Sequence, residues 1–183
     1  MADPVAASGA ASPFRAGTVL RPPRPSLLDA VAHSAVLRAL AAWRDNGGGQ
    51  PPLLLDGTAG NGHDCLFLAR QAPAGSLLLA LDIQEAALQA SRARLEQAGM
   101  AARCCACALS PLPSGTTDIR LVLHSHAALP ELLDALPEAD RQRPLLAGIF
   151  NFGYLPGTDK RCTTTAAGSL AAVDALLERL APQ

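Results

Sequence analysis

The chain has 183 residues and a mass of 18.8 kDa, a length that suits one domain. Hydrophobic residues make up 49% of it and charged residues 17%, a composition that excludes a chain disordered throughout. The formal net charge of −1 gives no global attraction to nucleic acid. No apolar run approaches the roughly 20 residues that a membrane helix requires, so we expect no membrane association.

The first 25 residues predict a disordered tail, because they are rich in Ala, Ser, Gly and Pro and contain one acid, Asp3. Residues 26–183 are then one domain. No charged segment followed by an apolar one marks a secretory signal, and the five cysteines are odd in number, so a reducing cytoplasm is the expected location. The sequence does not exclude that the basic tail targets the protein to an organelle.

A cluster of cysteines, Cys104, Cys105 and Cys107, raises the question of a metal site. Zinc sites usually use two spaced pairs of ligands, and this chain has no second pair. We therefore predict no metal, and interpret these residues as small buried side chains or part of a variable loop.

Ser26 can cap a first helix from Leu27 to about Trp43, in which Leu27, Val31, Ala35 and Leu40 follow helical spacing. Beyond it, short apolar runs alternate with helical segments. Strands are predicted at 53–55, 77–81, 119–123 and 145–150, helices at 63–71, 85–97, 129–136 and 165–180, and irregular structure at 100–118.

This alternation predicts an α/β fold, a parallel sheet with helices on both faces. We expect the strand order third-second-first-fourth. Ligands of such sheets bind at the carboxyl ends of the strands, so the chemistry should lie in the loops after the strands.

The loop after the first strand reads Asp56-Gly-Thr-Ala-Gly60-Asn61-Gly62-His-Asp64. Its glycines permit a tight turn, and the helix that follows offers unpaired amides to an anionic group. The order D-x-x-x-G-x-G differs from the G-x-G-x-x-G of dinucleotide-binding proteins, which speaks against an NAD-dependent dehydrogenase. It resembles the first motif of Rossmann-like methyltransferases that use S-adenosylmethionine, in which the acid can meet the ammonium group of the methionine moiety.

The loop after the second strand begins Asp82-Ile83-Gln84. A carboxylate at this place can accept hydrogen bonds from both ribose hydroxyls of a nucleoside cofactor. The two loops together favour binding of a nucleoside cofactor over a plain glycine-rich turn and a helix cap.

The loop after the fourth strand reads Asn151-Phe-Gly153-Tyr154-Leu-Pro-Gly-Thr-Asp159-Lys160. It is similar to the N/D-P-P-Y/F loop of methyltransferases that act on nitrogen. The Asn oxygen there accepts a hydrogen bond from the target amine, and the aromatic ring packs on the substrate. The alternative is a structural turn with a core tyrosine.

Taken with Ser125-His126, Ala32-His33, Phe67-Leu-Ala and Thr163 to Thr165, these segments resemble the MnmM family, formerly catalogued as rRNA methylases. The resemblance covers about residues 26 to 180. It implies a class I S-adenosylmethionine-dependent methyltransferase that acts on the tRNA anticodon region. The reaction converts 5-aminomethyl-2-thiouridine to 5-methylaminomethyl-2-thiouridine at the wobble position.

The expected site residues follow from the loops and the resemblance. His126 is expected near the adenine or the reacting methyl, with a surface-turn histidine as an equal alternative. Asn151 and Tyr154 are expected to be catalytic, Gly153, Asp159 and Lys160 to bind substrate, and Asp56, Gly60, Asn61, Gly62, Asp64, Asp82, Gln84 and His126 to bind cofactor.

Two departures from the family pattern leave alternatives open. Residues 100–118 resemble an insertion, and His124 stands where the family usually has Asp. The chain also ends before the last strands that family members carry, so we expect the C-terminal part to be missing. An N-methyltransferase for another RNA base or a small amine, or a non-catalytic cofactor-binding remnant, remain alternatives.

The surface that would bind tRNA is less defined than the cofactor loops. Arg141, Arg143, Lys160 and Arg161 flank the fourth strand and are candidates, although a residue of this kind is more often simply a solvated surface charge. The oligomeric state does not follow from the sequence.

Overall fold

The computed structural model describes residues 26–105, 115–151 and 165–181, and the predicted tail lies outside them. Strands and helices alternate along these residues, and a 3₁₀ turn at His126–Ala128 precedes the fourth helix. The elements are α1 (Leu27–Asp45), β1 (Leu53–Asp56), α2 (His63–Gln71), β2 (Leu77–Asp82), α3 (Glu85–Gln97), β3 (Arg103–Cys105), β4 (Asp118–Leu123), α4 (Leu129–Asp134), α5 (Glu138–Arg141), β5 (Leu145–Ile149) and α6 (Ala166–Arg179).

The five described strands form one sheet in the order β3-β4-β2-β1-β5, and every pair is parallel. The order predicted for the four apolar strands is confirmed. The chain passes from β1 to β2 on one side and later returns to β5 on the other, so the order in which strands are added to the sheet reverses at β1. Asp56 pairs in register with Ile149, which brings the loops after β1 and β5 together at the carboxyl edge.

Leucines of the central strands alternate between two cores, one on each face of the sheet. Leu54 and Leu78 belong to the core covered by α1, α2 and α3. Leu55 and Leu79 belong to the core covered by α4 and α6. Burial of each such side chain contributes about 1.5–3 kcal/mol, which explains why nearly unbroken leucine runs occupy the centre. The predicted helices on both faces are confirmed.

The first helix begins where predicted, but the buried face differs from the prediction. Ser26 accepts from the backbone N–H of Asp29, and the Asp29 carboxylate accepts from the N–H of Ser26. Leu27 and Val31, predicted to face inward, are 80% and 59% exposed. The first turns carry apolar side chains without a core beneath them, and the buried residues of α1 are Val36, Ala39 and Leu40.

The segment predicted to be irregular contains the edge strand β3, and Cys104 within it is exposed. Arg103 of this strand donates to the Asp118 carboxylate at the start of β4, at 3.0 Å from its Nε. Arg120 donates to both Asp118 and Asp140 from a buried position. An ionic network, rather than an apolar run, holds this edge, and for that reason hydrophobic patterning does not reveal it.

The helix predicted at 129–136 ends at Asp134, and the short helix α5 follows it. In the part of the chain that the structure describes, no helix is long and apolar enough to cross a membrane. Within the same ranges, no three His, Cys, Asp or Glu side chains are grouped so that they could hold a metal ion.

Candidate functional site

The glycine loop after β1 is shaped by close contacts on two sides. Gly62 has a φ of +74°, and a Cβ there would lie 2.6 Å from the Cα of Ser91 on α3. The Ser91 hydroxyl donates to the carbonyl of Gly60 at 3.2 Å. The loop therefore packs directly on α3, and only glycine fits at position 62.

Gly57 has a φ outside the left-handed region, so a neighbouring side chain constrains this position rather than the backbone angle. A Cβ at this position would lie 2.1 Å from the ring of Phe150, the residue that follows β5. The N–H of Gly57 donates to the carbonyl of Ile149 at 2.8 Å. These contacts join the first loop to the end of β5.

Asp82 at the end of β2 closes the other side of the loop. One carboxylate oxygen accepts from the N–H of Gly60 and the other from the N–H of Gln84, both at 2.9 Å. The predicted ribose-binding carboxylate is thus also a structural acceptor that holds the glycine loop. Each carboxylate oxygen has a second lone pair, so these bonds leave capacity for a ligand.

Asp56 is fully buried at the carboxyl end of β1. Its Oδ1 accepts from the N–H of Thr58 at 3.1 Å, whereas Oδ2 has no hydrogen-bond partner among the described residues. Burial raises the pKa of Asp56 to about 7, outweighing the hydrogen bond from Thr58. A buried carboxylate oxygen without a partner is what an incoming ammonium group would satisfy.

Asn151, predicted to be catalytic, lies at the junction of β5 and the first loop. Its backbone N–H donates to the hydroxyl of Thr58 at 2.7 Å, and its side-chain amide donates to the carboxylate of Asp64. The structure therefore brings Asn151 beside the glycine loop, as the topology predicts.

The second oxygen of Asp64 accepts from Nε2 of His33 at 2.7 Å. The His33 ring stacks on Phe67, with 3.7 Å between ring centroids and 9° between planes. Asp64 was predicted to bind the cofactor, and in the structure both of its oxygens already have protein partners. Sequence reasoning missed this contact because His33 and Asn151 are 31 and 87 residues from Asp64.

Thr58 and Arg94 were also missed. Thr58 fixes the backbone of Asn151, and Arg94 of α3 donates from Nε to the carbonyl of Asn61 at 2.6 Å. Thr58 stands inside the quoted glycine motif, so its position was a usable signal, whereas nothing in the sequence pairs Arg94 with Asn61.

His126 lies in the 3₁₀ turn after β4, at the same edge of the sheet. Its ring meets that of Phe150 edge-on, with 6.5 Å between centroids. Burial lowers the pKa of His126, which favours the neutral imidazole. Gly153, Tyr154, Asp159 and Lys160, predicted for catalysis or substrate binding, lie outside the described residues.

Two arginines proposed for tRNA binding lie elsewhere. Arg143 donates to the carbonyls of Pro51 and Gly75, which precede β1 and β2, and to the carboxylate of Asp140. Arg141 pairs with Glu138. Pro51 and Gly75 lie at the amino ends of the strands, opposite the candidate site, so Arg143 is a structural residue of that edge.

The parallel sheet, the glycine loop after β1 and the acid after β2 define a Rossmann-like class I S-adenosylmethionine-dependent methyltransferase fold. The family described as "Putative rRNA methylase" matches residues 78–183, and the chain belongs to it. Fold and family together support a methyltransferase.

Solved structures agree with this assignment. A structure named as an rRNA methylase from Streptococcus thermophilus is 26% identical, with a TM-score of 0.54 over 87% of this chain. A "putative rRNA-methylase" from Clostridium thermocellum has the same TM-score at 19% identity over 80% of this chain, and shows the fold alone. The chain spans 67% and 66% of their lengths.

Proposed function

We propose that the chain is an S-adenosylmethionine-dependent N-methyltransferase of tRNA. Its reaction converts 5-aminomethyl-2-thiouridine to 5-methylaminomethyl-2-thiouridine at the wobble position, in the cytoplasm. The observation that carries this proposal is the position of Asn151, beside the glycine loop and at the point where the strand order reverses. The family description supports RNA as the substrate class, and the resemblance of the Asn151–Lys160 segment supports the aminomethyl group.

The residues of the first two loops fit the proposed cofactor. Oδ2 of Asp56, which has no hydrogen-bond partner within residues 26–105, 115–151 and 165–181, suits the ammonium of the methionine moiety, and the Asp82 carboxylate suits the ribose hydroxyls. We assign the remaining contacts to Gly60, Asn61, Gly62, Gln84 and His126. When bound, the cofactor supplies a methyl group on a positively charged sulfur.

The residues of this chain act on the substrate by positioning. The nucleophile is a primary amine, which must lose its proton before it can attack, and removal from water disfavours its charged form. The Asn151 oxygen accepts a hydrogen bond from the neutral amine and holds its lone pair in line with the methyl group. The leaving thioether needs no acid. Tyr154, Gly153, Asp159 and Lys160 complete the substrate side in this proposal.

A transfer assay with labelled S-adenosylmethionine tests the proposal. We expect label in tRNA that carries 5-aminomethyl-2-thiouridine and none in tRNA that lacks the aminomethyl group. Label in ribosomal RNA or in a small amine instead would favour the alternative N-methyltransferases. Binding of S-adenosylhomocysteine without any transfer would favour a non-catalytic remnant.

The variant Asn151→Ala tests the central residue. We expect turnover to fall by about 100-fold, as for loss of a catalytic hydrogen-bond group, with cofactor affinity nearly unchanged. Asn46→Ala, the same change at the distant end of α1, is the matched control. Near-normal turnover of Asn151→Ala would refute the mechanism.

A further inference from the structure

We propose that Asp64, supported by His33, is a positioning residue that sets the orientation of the Asn151 side-chain amide. This inference rests on the proposed function, because it concerns how Asn151 presents its oxygen to the amine. Three separate elements contribute to it: α1 through His33, α2 through Asp64, and the end of β5 through Asn151.

The orientation follows from hydrogen-bond chemistry. Asp64 lies in the first turn of α2, and one of its oxygens accepts from the Asn151 side-chain amide while the other accepts from His33. The carboxylate oxygens act as acceptors in both contacts, so the Asn151 amide turns its NH₂ group toward Asp64. The opposite orientation would place two acceptor oxygens in contact. The Asn151 oxygen is therefore directed away from Asp64 and remains the group that can accept from an amine.

The Asp64 carboxylate is itself fixed by a hydrogen bond on the side away from Asn151. Its other oxygen accepts from Nε2 of His33, and the stack on Phe67 fixes the plane of that imidazole. Phe67 lies three residues after Asp64, on the same face of α2. The Asp64 and His33 side chains are 13% and 22% exposed, which shields their hydrogen bond from water.

The backbone of Asn151 is anchored independently by Thr58. Loss of Asp64 should therefore leave the chain path in place and free only the side-chain amide to rotate. A rotating amide presents its oxygen for part of the time, which lowers the rate of the chemical step and leaves binding of both substrates intact.

Kinetics of Asp64→Ala test this role. We expect kcat to fall by about 10-fold to 100-fold, with KM for tRNA and affinity for S-adenosylhomocysteine within about twofold. Asp64→Asn should recover most of the loss, because its amide oxygen still accepts from Asn151. His33→Phe keeps the stack on Phe67 but removes the donor, so we expect a smaller decrease. Asp45→Ala, on the exposed end of α1, is the control.

A second readout needs no turnover. The side-chain amide protons of Asn151, assigned by their loss in Asn151→Ala, should be shifted by the carboxylate and slow to exchange in the wild type. Asn151 is exposed, as Asn46 is, so slow exchange in the wild type would come from the contact with Asp64. In Asp64→Ala these protons should exchange as fast as those of Asn46. Amide signals that do not respond to Asp64→Ala would overturn the inference.

Two further outcomes separate the hypotheses. A large loss of S-adenosylhomocysteine affinity in Asp64→Ala, with kcat unchanged, would make Asp64 a cofactor ligand and overturn the positioning role. A wild type that methylates none of the RNAs, while the amide signals respond to Asp64→Ala, would refute the proposed function and support the contact.

Discussion

Gly62 illustrates how one residue fixes the cofactor loop, because two different constraints meet there. Its positive φ costs an L-residue about 1–2 kcal/mol, and any Cβ collides with the backbone of Ser91. Gly99 has nearly the same φ, +75°, with open space around it. We expect Gly99→Ala to lower the free energy of unfolding by about 1 kcal/mol and Gly62→Ala by about 2 kcal/mol more. Urea unfolding of the two variants measures the difference. Equal decreases in the free energy of unfolding would show that the contact with Ser91 adds nothing to the cost of a side chain at position 62.

Asp56 makes stability depend on pH in the opposite sense from most carboxylates. Its pKa is about 7 in the folded chain and near 3.8 in the unfolded one, so the folded state holds the proton more tightly. The contribution of this group to the free energy of unfolding is greatest below about pH 4 and is lost as the pH rises through about 7. The difference between the two values corresponds to roughly 4 kcal/mol at full ionisation.

The variant Asp56→Asn should remove this dependence. We expect the wild-type free energy of unfolding, relative to Asp56→Asn, to fall as pH rises from 4.5 to 8. Asp45→Asn, the same change at the exposed end of α1, is the matched control. A difference between wild type and Asp56→Asn that does not change with pH would mean that the carboxylate ionises as freely in the folded chain as in the unfolded one.

Among the elements, the edge formed by β3, β4 and α5 depends on charges rather than on leucines. Asp140 accepts from buried Arg120 and from Arg143. Burial acts to raise the pKa of Asp140, but the hydrogen bonds from the two arginines outweigh it and lower the pKa. The pairing therefore stabilises the fold at every pH above the ordinary pKa of a carboxylate, and this stabilisation is lost only when acid protonates Asp140.

Removal of Asp140 leaves two arginine charges without this partner. We expect Asp140→Ala to cost about 3–5 kcal/mol in urea unfolding at pH 7. Glu138→Ala removes the exposed partner of Arg141 from the same short helix, and should cost under about 1 kcal/mol. A similar cost for both variants would contradict the structural role of the network.

This edge also shows where sequence reasoning is strong and where it fails. Unbroken leucine runs identify β1 and β2 because full burial on both faces demands them. The strand β3 carries Arg and Cys, and its Arg103 pairs with Asp118, fifteen residues further along the chain. The contact between Asp64 and Asn151 likewise joins positions far apart in the chain. Motifs locate the loops, whereas contacts between loops depend on the three-dimensional fold.

For the chain as a unit, the cofactor is expected to act as a stabilising ligand. Binding of S-adenosylhomocysteine at 100 times Kd should add about 2.7 kcal/mol and raise Tm. Asp82→Ala should weaken binding both by loosening the Gly60 turn and by losing the ribose contact that we propose for this carboxylate.

A 2′-deoxy analogue of S-adenosylhomocysteine separates these two effects in calorimetry. Wild type should bind the analogue more weakly than the parent compound, whereas Asp82→Ala should bind both alike. If wild type and Asp82→Ala showed the same ratio of affinities for the parent compound and the analogue, Asp82 would not contact the ribose and would have only its structural role.

Trp43 gives this fold a built-in optical reporter. It is the single tryptophan of the chain, packed half-buried against the core and 3.4 Å from the position that a Cβ on Gly48 would take. Ten residues, or about 15 Å of helix, separate it from His33. Its emission should change on unfolding, when water reaches the indole. If cofactor or RNA binding shifts the emission, fluorescence would detect at Trp43 an event that takes place beside His33, on the same helix.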